Sequence, residues 1–392
     1  MIPAQGTYSL EDRIEPKAIR VVVADDSATV RALLARLFAP TETPQRDSPC
    51  RVELCAAAHD GQTCLRAVRA LQPDVVVLDL EMPGLSGMET IDLLRREWPD
   101  LPIIMFSAYT ARGASYTLEA LARGATDYVT KPSGHPSPEA AIATLREDLL
   151  PKIIVLAARR HKPAAPSIIP AARASRTVPA LPAQVIGIGV STGGPSALEL
   201  LLPRLPQGFP APVLIVQHMP KLFTSALAER LNRCCALPVT LAYDGAEVTP
   251  GTIWLAPGDS HMELTVTSGR MRIALNQDAP EQHCRPSVNP LFRSLARTLR
   301  NRALGVIMTG MGADGLEGSR AIVDAGGAVL AQDESSSAVW GMPGRVVAAG
   351  LAAAVLPIAS LADAIIQRTS RPRTQQRVFD ATLETERSHG SL

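Results

Sequence analysis

Neither sign of charge prevails in this 392-residue sequence: 39 Lys and Arg face 38 Asp and Glu, for a formal net charge of +1. No long Lys/Arg run breaks the balance, so there is no electrostatic footprint for nucleic acid or a membrane surface. The pair Arg159-Arg160 falls in an expected linker and reads as solvated. Apolar runs long enough to span a bilayer are missing, which argues against membrane insertion. Met1 to Arg20 is charged and lacks a continuous apolar core, so it does not read as a signal peptide, and a cytoplasmic protein is expected. Six cysteines (Cys50, Cys55, Cys64, Cys234, Cys235, Cys284) show no disulfide framework and no C-x-x-C pair, and read as reduced thiols. His283 beside Cys284 lacks partners at metal-binding spacing and reads as a loop pair.

What is present is length for two cores and two rounds of α/β alternation. Short β-branched runs at Val21-Val23, Val52-Cys55, Val75-Leu78, Ile103-Phe106 and Asp127-Val129 alternate with amphipathic stretches, the pattern of a five-stranded parallel doubly wound domain over residues 18–150. The Pro-rich stretch from Pro40 to Cys50 interrupts it as a surface excursion. Residues 151–182 turn to Ala, Pro and Ser without period and read as a linker. A second doubly wound α/β domain is expected over 183–370, with runs at Val185-Val190, Val213-Val216, Ala303-Met308 and Ala328-Ala331. Ile253-Ala256, Met262-Val266 and Met271-Ala274, set off by turn signals, predict an antiparallel insertion. The polar stretch 371–392 reads as a disordered tail.

Ligands in doubly wound sheets bind at the carboxyl ends of strands, and the residues there are consistent in kind. Asp25 and Asp26 end the first run, Asp79 the third, Ser107 the fourth and Lys131 the fifth. Any single Asp could be a turn or cap residue. Three carboxylates converging on one point instead require a divalent cation, and an all-oxygen set suits Mg²⁺. The motifs VVVADDS (Val21-Ser27), VVVLDLEMPGLSGME (Val75-Glu89), IIMFSA (Ile103-Ala108) and YVTKP (Tyr128-Pro132) resemble the receiver domains of two-component response regulators. The resemblance implies that Asp79 accepts a phosphoryl group and that Asp25, Asp26 and Asp79 hold Mg²⁺ with the backbone carbonyl of Glu81. It further implies that Ser107 and Lys131 read the phosphorylated state and that Lys131-Pro132 is a cis bond.

Ser191 follows a buried strand and precedes a helix, within Gly189-Val190-Ser191-Thr192-Gly193. As G-x-S-x-G this is a nucleophile turn; as Gly187, Gly189 and Gly193 it is a dinucleotide-type phosphate loop. The dinucleotide reading needs an acidic residue ending the next strand, which ends instead in Gln217-His218. His218 there can serve Ser191 as a base, and Asp314 ends a further strand in a Gly-rich turn, giving nucleophile, base and acid in the order Ser, His, Asp. The alternatives are a structural histidine and a cap aspartate before a Leu316-Ala325 helix.

The segments GVSTGGP, QHMP, LAPGDSHM, RPSV, TGMGADG and GMPG together resemble the catalytic domain of chemotaxis protein-glutamate methylesterases, which also carry a receiver and a linker. The resemblance implies a Ser191, His218, Asp314 triad with the Met311 N–H in an oxyanion hole; a contribution from the Thr192 N–H is inferred from helix-start geometry. It implies demethylation of methylglutamate and deamidation of glutamine on chemoreceptors, under control of a phosphodonor sensor histidine kinase. Departures are Trp340 where many members carry Phe, and Asn289 where Asp is common. A serine hydrolase acting on an unrelated ester remains open. A DNA-binding output is disfavoured, because the second half is too long and strand-rich for a helix-turn-helix unit.

Overall fold

The computed structural model describes residues 18–39, 51–161 and 181–370. The Pro40 to Cys50 excursion, residues 162–180 of the expected linker and the polar tail lie outside the described residues.

Five strands alternate with five helices in the N-terminal part: β1 (Ile19–Ala24), α1 (Ala28–Phe38), β2 (Val52–Ala58), α2 (Gly61–Leu71), β3 (Val75–Leu78), α3 (Gly87–Glu97), β4 (Ile103–Ser107), α4 (Ala111–Ala122), β5 (Asp127–Thr130) and α5 (Pro138–His161). The sheet order is β2-β1-β3-β4-β5, with β1 parallel to β2 and β3, and β3 parallel to β4. Burial of every residue of β3 and β4 reflects helices on both faces, which is why these strands read as unbroken apolar runs. α5 continues through Pro151 to His161, so residues 151–161 are helix rather than linker. The reason is packing: Ile153, Leu156 and Ala157 are buried beyond the proline and outweigh its tendency to end a helix. The cis peptide bond among the described residues is Arg285-Pro286, not Lys131-Pro132. Because the two X–Pro isomers differ by only about 0.5–1 kcal/mol, local sequence does not decide between them.

By backbone proximity the chain forms two compact units, and residues 107–131, with α4 and β5, group with the C-terminal part. Within that second unit the elements are β6 (Val185–Val190), α6 (Gly194–Leu201), β7 (Val213–Gln217), α7 (Lys221–Cys234), β8 (Val239–Leu241), β9 (Ile253–Leu255), β10 (His261–Thr267), β11 (Arg270–Asn276), α8 (Val288–Leu299), β12 (Ala303–Ile307), α9 (Leu316–Asp324), β13 (Ala328–Gln332), α10 (Met342–Ala348), β14 (Ala354–Leu356) and α11 (Ile358–Thr369). α4 packs on α7 and α6, the Tyr128 ring stacks on Phe223 of α7 at 4.7 Å, and Ser196 Oγ donates to Leu121 O at 3.2 Å.

Seven strands form the larger sheet in the order β14-β13-β12-β6-β7-β9-β8, and every pair is parallel. The expected antiparallel insertion is therefore smaller than its sequence pattern. Ile253–Leu255 is a strand of the main sheet, and only β10 and β11 form an antiparallel hairpin, from His261↔Asn276 to Thr267↔Arg270. A three-residue apolar run has no legible period, but its complete burial is the mark of a parallel strand. β8 and β14 are equally short and had no signal.

The glycines of β6 are explained by helix packing. A Cβ on Gly187 would lie 2.5 Å from Leu295 Cδ1 and 3.0 Å from Phe292 Cε1; one on Gly189 would lie 2.5 Å from Val288 Cγ1 and 2.7 Å from its Cγ2. Gly187 and Gly189 thus let α8 lie directly on the strand, and neither belongs to a phosphate-binding turn. Gly189→Ala is expected to destabilise the protein by about 1–3 kcal/mol, because Val288 is stiff at χ1 and cannot move aside. Urea unfolding measures it, and an unchanged midpoint would contradict this packing account.

Candidate active site

Strand order determines where the sequence-predicted residues fall. The chain leaves β6 in one direction toward β7, β9 and β8, and later builds β12, β13 and β14 on the other side. The switch point lies at β6 between β12 and β7, where a crevice opens at the carboxyl ends of parallel strands. Ser191 follows β6, His218 follows β7, and Asp314 lies in the turn after β12.

Asp314 is 2% exposed and its carboxylate accepts five hydrogen bonds besides facing no solvent. Oδ2 takes His218 Nε2 at 2.7 Å and the Val288 N–H at 2.7 Å. Oδ1 takes Ser287 Oγ at 2.7 Å, the Gly315 N–H at 2.7 Å and the Asn289 N–H at 3.2 Å. The backbone donors come from the first turn of α8 and the N-cap of α9. Two helix N-termini therefore point at one anion, each favouring negative charge. Burial works to raise the carboxyl pKa, but the hydrogen bonds from His218, Val288 and Ser287 outweigh it and hold the group below its ordinary range.

His218 receives the complementary effect. Burial disfavours a charged imidazole, yet the hydrogen bond to Asp314, with the Cys284 sulfur nearby, overcomes that and raises its pKa. With Nε2 bonded to Asp314, the proton sits on Nε2 and Nδ1 is the basic nitrogen. Ser191 and His218 follow the last register pair of β6 and β7, Val190↔Gln217. The structure brings His218 and Asp314 into contact; Ser191 follows the neighbouring strand end, and its Oγ makes no hydrogen bond to the ring.

Around Ser191 the turn is tied to the next strand. Its N–H donates to Thr309 O at 2.9 Å, while Thr309 Oγ1 donates to Thr192 O at 2.8 Å and Thr309 N–H to Gln332 Oε1 at 2.8 Å. Gly310 O accepts from Gly341 and Met342 N–H at 3.0 and 2.8 Å, which fixes the Gly310–Gly312 turn. Among the described residues the Met311 and Thr192 N–H groups have no protein acceptor, so both stay available beside Ser191. A serine, a base and free backbone donors at one crevice are the parts of acyl transfer through a tetrahedral oxyanion.

Sequence reasoning missed several supporting groups. Ser287 sits in the RPSV segment and was not singled out. His261 is 1% exposed, accepts from Ser287 N–H at 3.1 Å through Nδ1 and donates from Nε2 to Ala279 O at 3.2 Å. Asn289 Oδ1 accepts from Gly315 and Gly318 N–H at 3.1 and 2.8 Å, capping α9. Cys284 follows a tight turn with Gln282 and His283 at φ 51° and 62°. Only its position beside an RPSV segment could have pointed to it.

In the N-terminal sheet, Asp25, Asp26 and Asp79 each offer an oxygen within 4.8 Å of the others. Asp25 is fully buried and Asp79 5% exposed, so their charges are poorly screened by water. Hard oxygens at this spacing fit a small divalent cation such as Mg²⁺. The backbone prepares the site: Leu80 N–H donates to Asp79 Oδ1 at 2.8 Å and Ser27 N–H to Asp25 Oδ1 at 2.9 Å. Glu81 lies two residues beyond Asp79, and Lys131 follows β5, its N–H donating to Ser107 O at 2.7 Å. Ser107 is 2% exposed and its hydroxyl is hydrogen-bonded to that of Thr117 at 2.6 Å.

Comparison with known proteins gives these two sites a common setting. Residues 186–365 match the CheB methylesterase family and residues 21–143 the response regulator receiver domain. The protein-glutamate methylesterase/protein-glutamine glutaminase of Trichodesmium erythraeum is 43% identical over 354 residues, covering 89% of this chain and 98% of the relative. A protein of the same name from a Nocardioides species is 42% identical over 362 residues, covering 91% and 96%. Among solved structures, the CheB methylesterase catalytic domain of Thermotoga maritima is 38% identical, covers 48% of this chain and 99% of its own, and aligns with a TM-score of 0.47. With receiver and methylesterase matches in one chain, and whole-length relatives at more than two-fifths identity, the chain belongs to the CheB methylesterase family.

Proposed function

We propose that the protein is a phosphorylation-activated serine hydrolase that removes methyl groups from methylglutamate side chains of chemoreceptors, and deamidates receptor glutamines, in the cytoplasm. The observation that carries this is the buried His218–Asp314 pair at the end of β7 and β12, with Ser191 on the strand end between them. Ser191 Oγ, deprotonated by His218 Nδ1, attacks the γ-ester carbonyl; the Met311 and Thr192 N–H groups take the developing oxyanion. Asp314 holds the ring and stabilises its charged form. The ring returns its proton to the leaving methanol, then activates water to release the glutamate and restore Ser191. A glutamine side chain would follow the same path with ammonia leaving.

Control resides in the N-terminal domain. Asp79 would accept a phosphoryl group from a sensor histidine kinase, with Asp25, Asp26, Asp79 and the Glu81 carbonyl holding Mg²⁺. That ion, when bound, supplies charge neutralisation for phosphoryl transfer. Ser107 and Lys131 would bind the phosphoryl oxygens, and for Ser107 this means turning its hydroxyl proton away from Gly113 O. Tyr128 precedes Lys131 by three residues and stacks on Phe223, in the helix that follows His218. A change at β5 thus reaches an element next to the base. Interfaces between domains are modest in size, and new phosphoryl contacts of a few kcal/mol suffice to shift such an equilibrium.

Three outcomes test this reading. With receptor carrying labelled glutamyl methyl esters, Ser191→Ala is expected to lower methanol release by several orders of magnitude at unchanged stability, since triad members act as a unit. Near-normal release would remove Ser191 from the mechanism, whereas no release by the unaltered chain would leave an unrelated ester as the substrate class. Asp314→Asn is expected to cost on the order of 10⁴ in turnover through the wrong imidazole tautomer; a mild effect would reduce Asp314 to a cap. Asp79→Asn should stay at basal activity with a phosphodonor and Mg²⁺, whereas a fragment beginning near Leu181 should be active without either. A fragment no faster than the unphosphorylated full chain would exclude inhibition by the receiver.

A further inference from the structure

Parallel strands hold their neighbours only as far as the ladder runs. The β6–β7 register ends at Val190↔Gln217, with a last bond from His218 N–H to Val190 O at 3.2 Å. Ser191 lies just beyond it and His218 is reached only through that last N–H, so no ladder bond joins the two residues directly. One side chain bridges this gap. Gln217 is 2% exposed, and its Nε2 donates to Ser191 O at 3.0 Å and to His218 O at 3.1 Å. The two hydrogens of a single amide thereby tie together the main chains of the serine and the histidine. Ser191 O also accepts the Gly194 N–H at 2.8 Å, which closes the turn onto α6.

The fit of the amide depends on a second residue. A Cβ on Gly194 would collide first with Gln217 Oε1, and then come within 2.8 Å of Val190 Cγ2 and 2.9 Å of Gln217 Cδ. Oε1 is buried without a hydrogen-bond partner, which is costly and persists here because the amide is aimed by its two N–H bonds. The arrangement favours the position of Nε2 over satisfaction of Oε1.

From this we infer that Gln217 is a positioning residue for hydrolysis: its amide staples the Ser191 turn to the His218 strand end, and Gly194 is glycine to admit it. The inference rests on the Ser191–His218 reading above. A base displaced by about 1 Å from its nucleophile can lose on the order of 10²-fold in rate, whereas substrate binding by other surfaces is unaffected.

The test uses the full chain, activated with a phosphodonor and Mg²⁺, on receptor carrying labelled glutamyl methyl esters. Gln217→Met keeps length and loses both donors; Gly194→Ala keeps the amide and displaces it. Each is expected to lower kcat by roughly 10- to 100-fold with KM changed less than about twofold, and the double variant to be no worse than the worse single one. The acid limb of the pH profile should stay in place, since neither change adds or removes a charge. Labelling of Ser191 by a fluorophosphonate, normalised to the folded fraction from thermal melts, should slow in parallel. Unchanged kcat and labelling in folded Gln217→Met or in folded Gly194→Ala overturns the staple alone. Strictly additive losses that track stability overturn it as well, by reducing both residues to packing. A wild-type chain that does not label at Ser191 removes the nucleophile assignment and the staple together.

Discussion

A buried carboxylate can stay ionised only if its surroundings replace the water it has lost, and at Asp314 five donors from two helix N-termini and two side chains do so. Much of the second unit follows from that constraint. Val288 and Asn289 can present their N–H groups only if α8 begins directly over β6, and this close approach explains the glycines of that strand. Ser287 must hold its hydroxyl toward Asp314 while its own N–H is taken by His261, whose other nitrogen bonds Ala279 O. Asn289 completes the set as a neutral group: its Oδ1 caps α9 without placing a second anion beside the first. A carboxylate there would share the Gly315 donor with Asp314 and compete for ionisation.

The parts legible in the sequence were those with a local signature at a strand end. Asp25, Asp79, Ser191, His218 and Asp314 each follow a buried apolar run, and strand ends of a parallel sheet converge by topology. Gly187 and Gly189 are ambiguous in sequence, because a glycine that admits a packed helix looks like one that admits a phosphate. The supporting groups were illegible for a different reason. Gln217 and His261 act by aiming at main-chain atoms far away in sequence, as in the 26-residue separation from Gln217 to Ser191, and Ser287 by aiming at the Asp314 carboxylate 27 residues on; no spacing rule reports either. Ile253–Leu255, Val239–Leu241 and Ala354–Leu356 are too short for periodicity, and the helix through Pro151 survives on tertiary burial that a proline-based boundary ignores.

The N-terminal sheet uses the same physics with the opposite sign. There the carboxylates of Asp25, Asp26 and Asp79 converge to within 4.8 Å of one another, and like charges this close favour a divalent cation between them. Where Asp314 is a permanently satisfied anion, Asp79 is, in the proposed control, the anion that changes. In the proposed control, the Tyr128 ring stacked on Phe223 would carry such a change toward α7.

The central claim is that Asp314, held ionised by α8 and α9, sets both the proton position and the basicity of His218. Nitrogen NMR of the ¹⁵N-labelled His218 ring, followed across pH in the full chain, reads both at once. The expected result is a neutral ring protonated on Nε2 that titrates above the ordinary histidine value of 6.5, with the shift reduced in Asp314→Asn. A ring protonated on Nδ1, or one that titrates at the ordinary value in the presence of Asp314, would contradict the account.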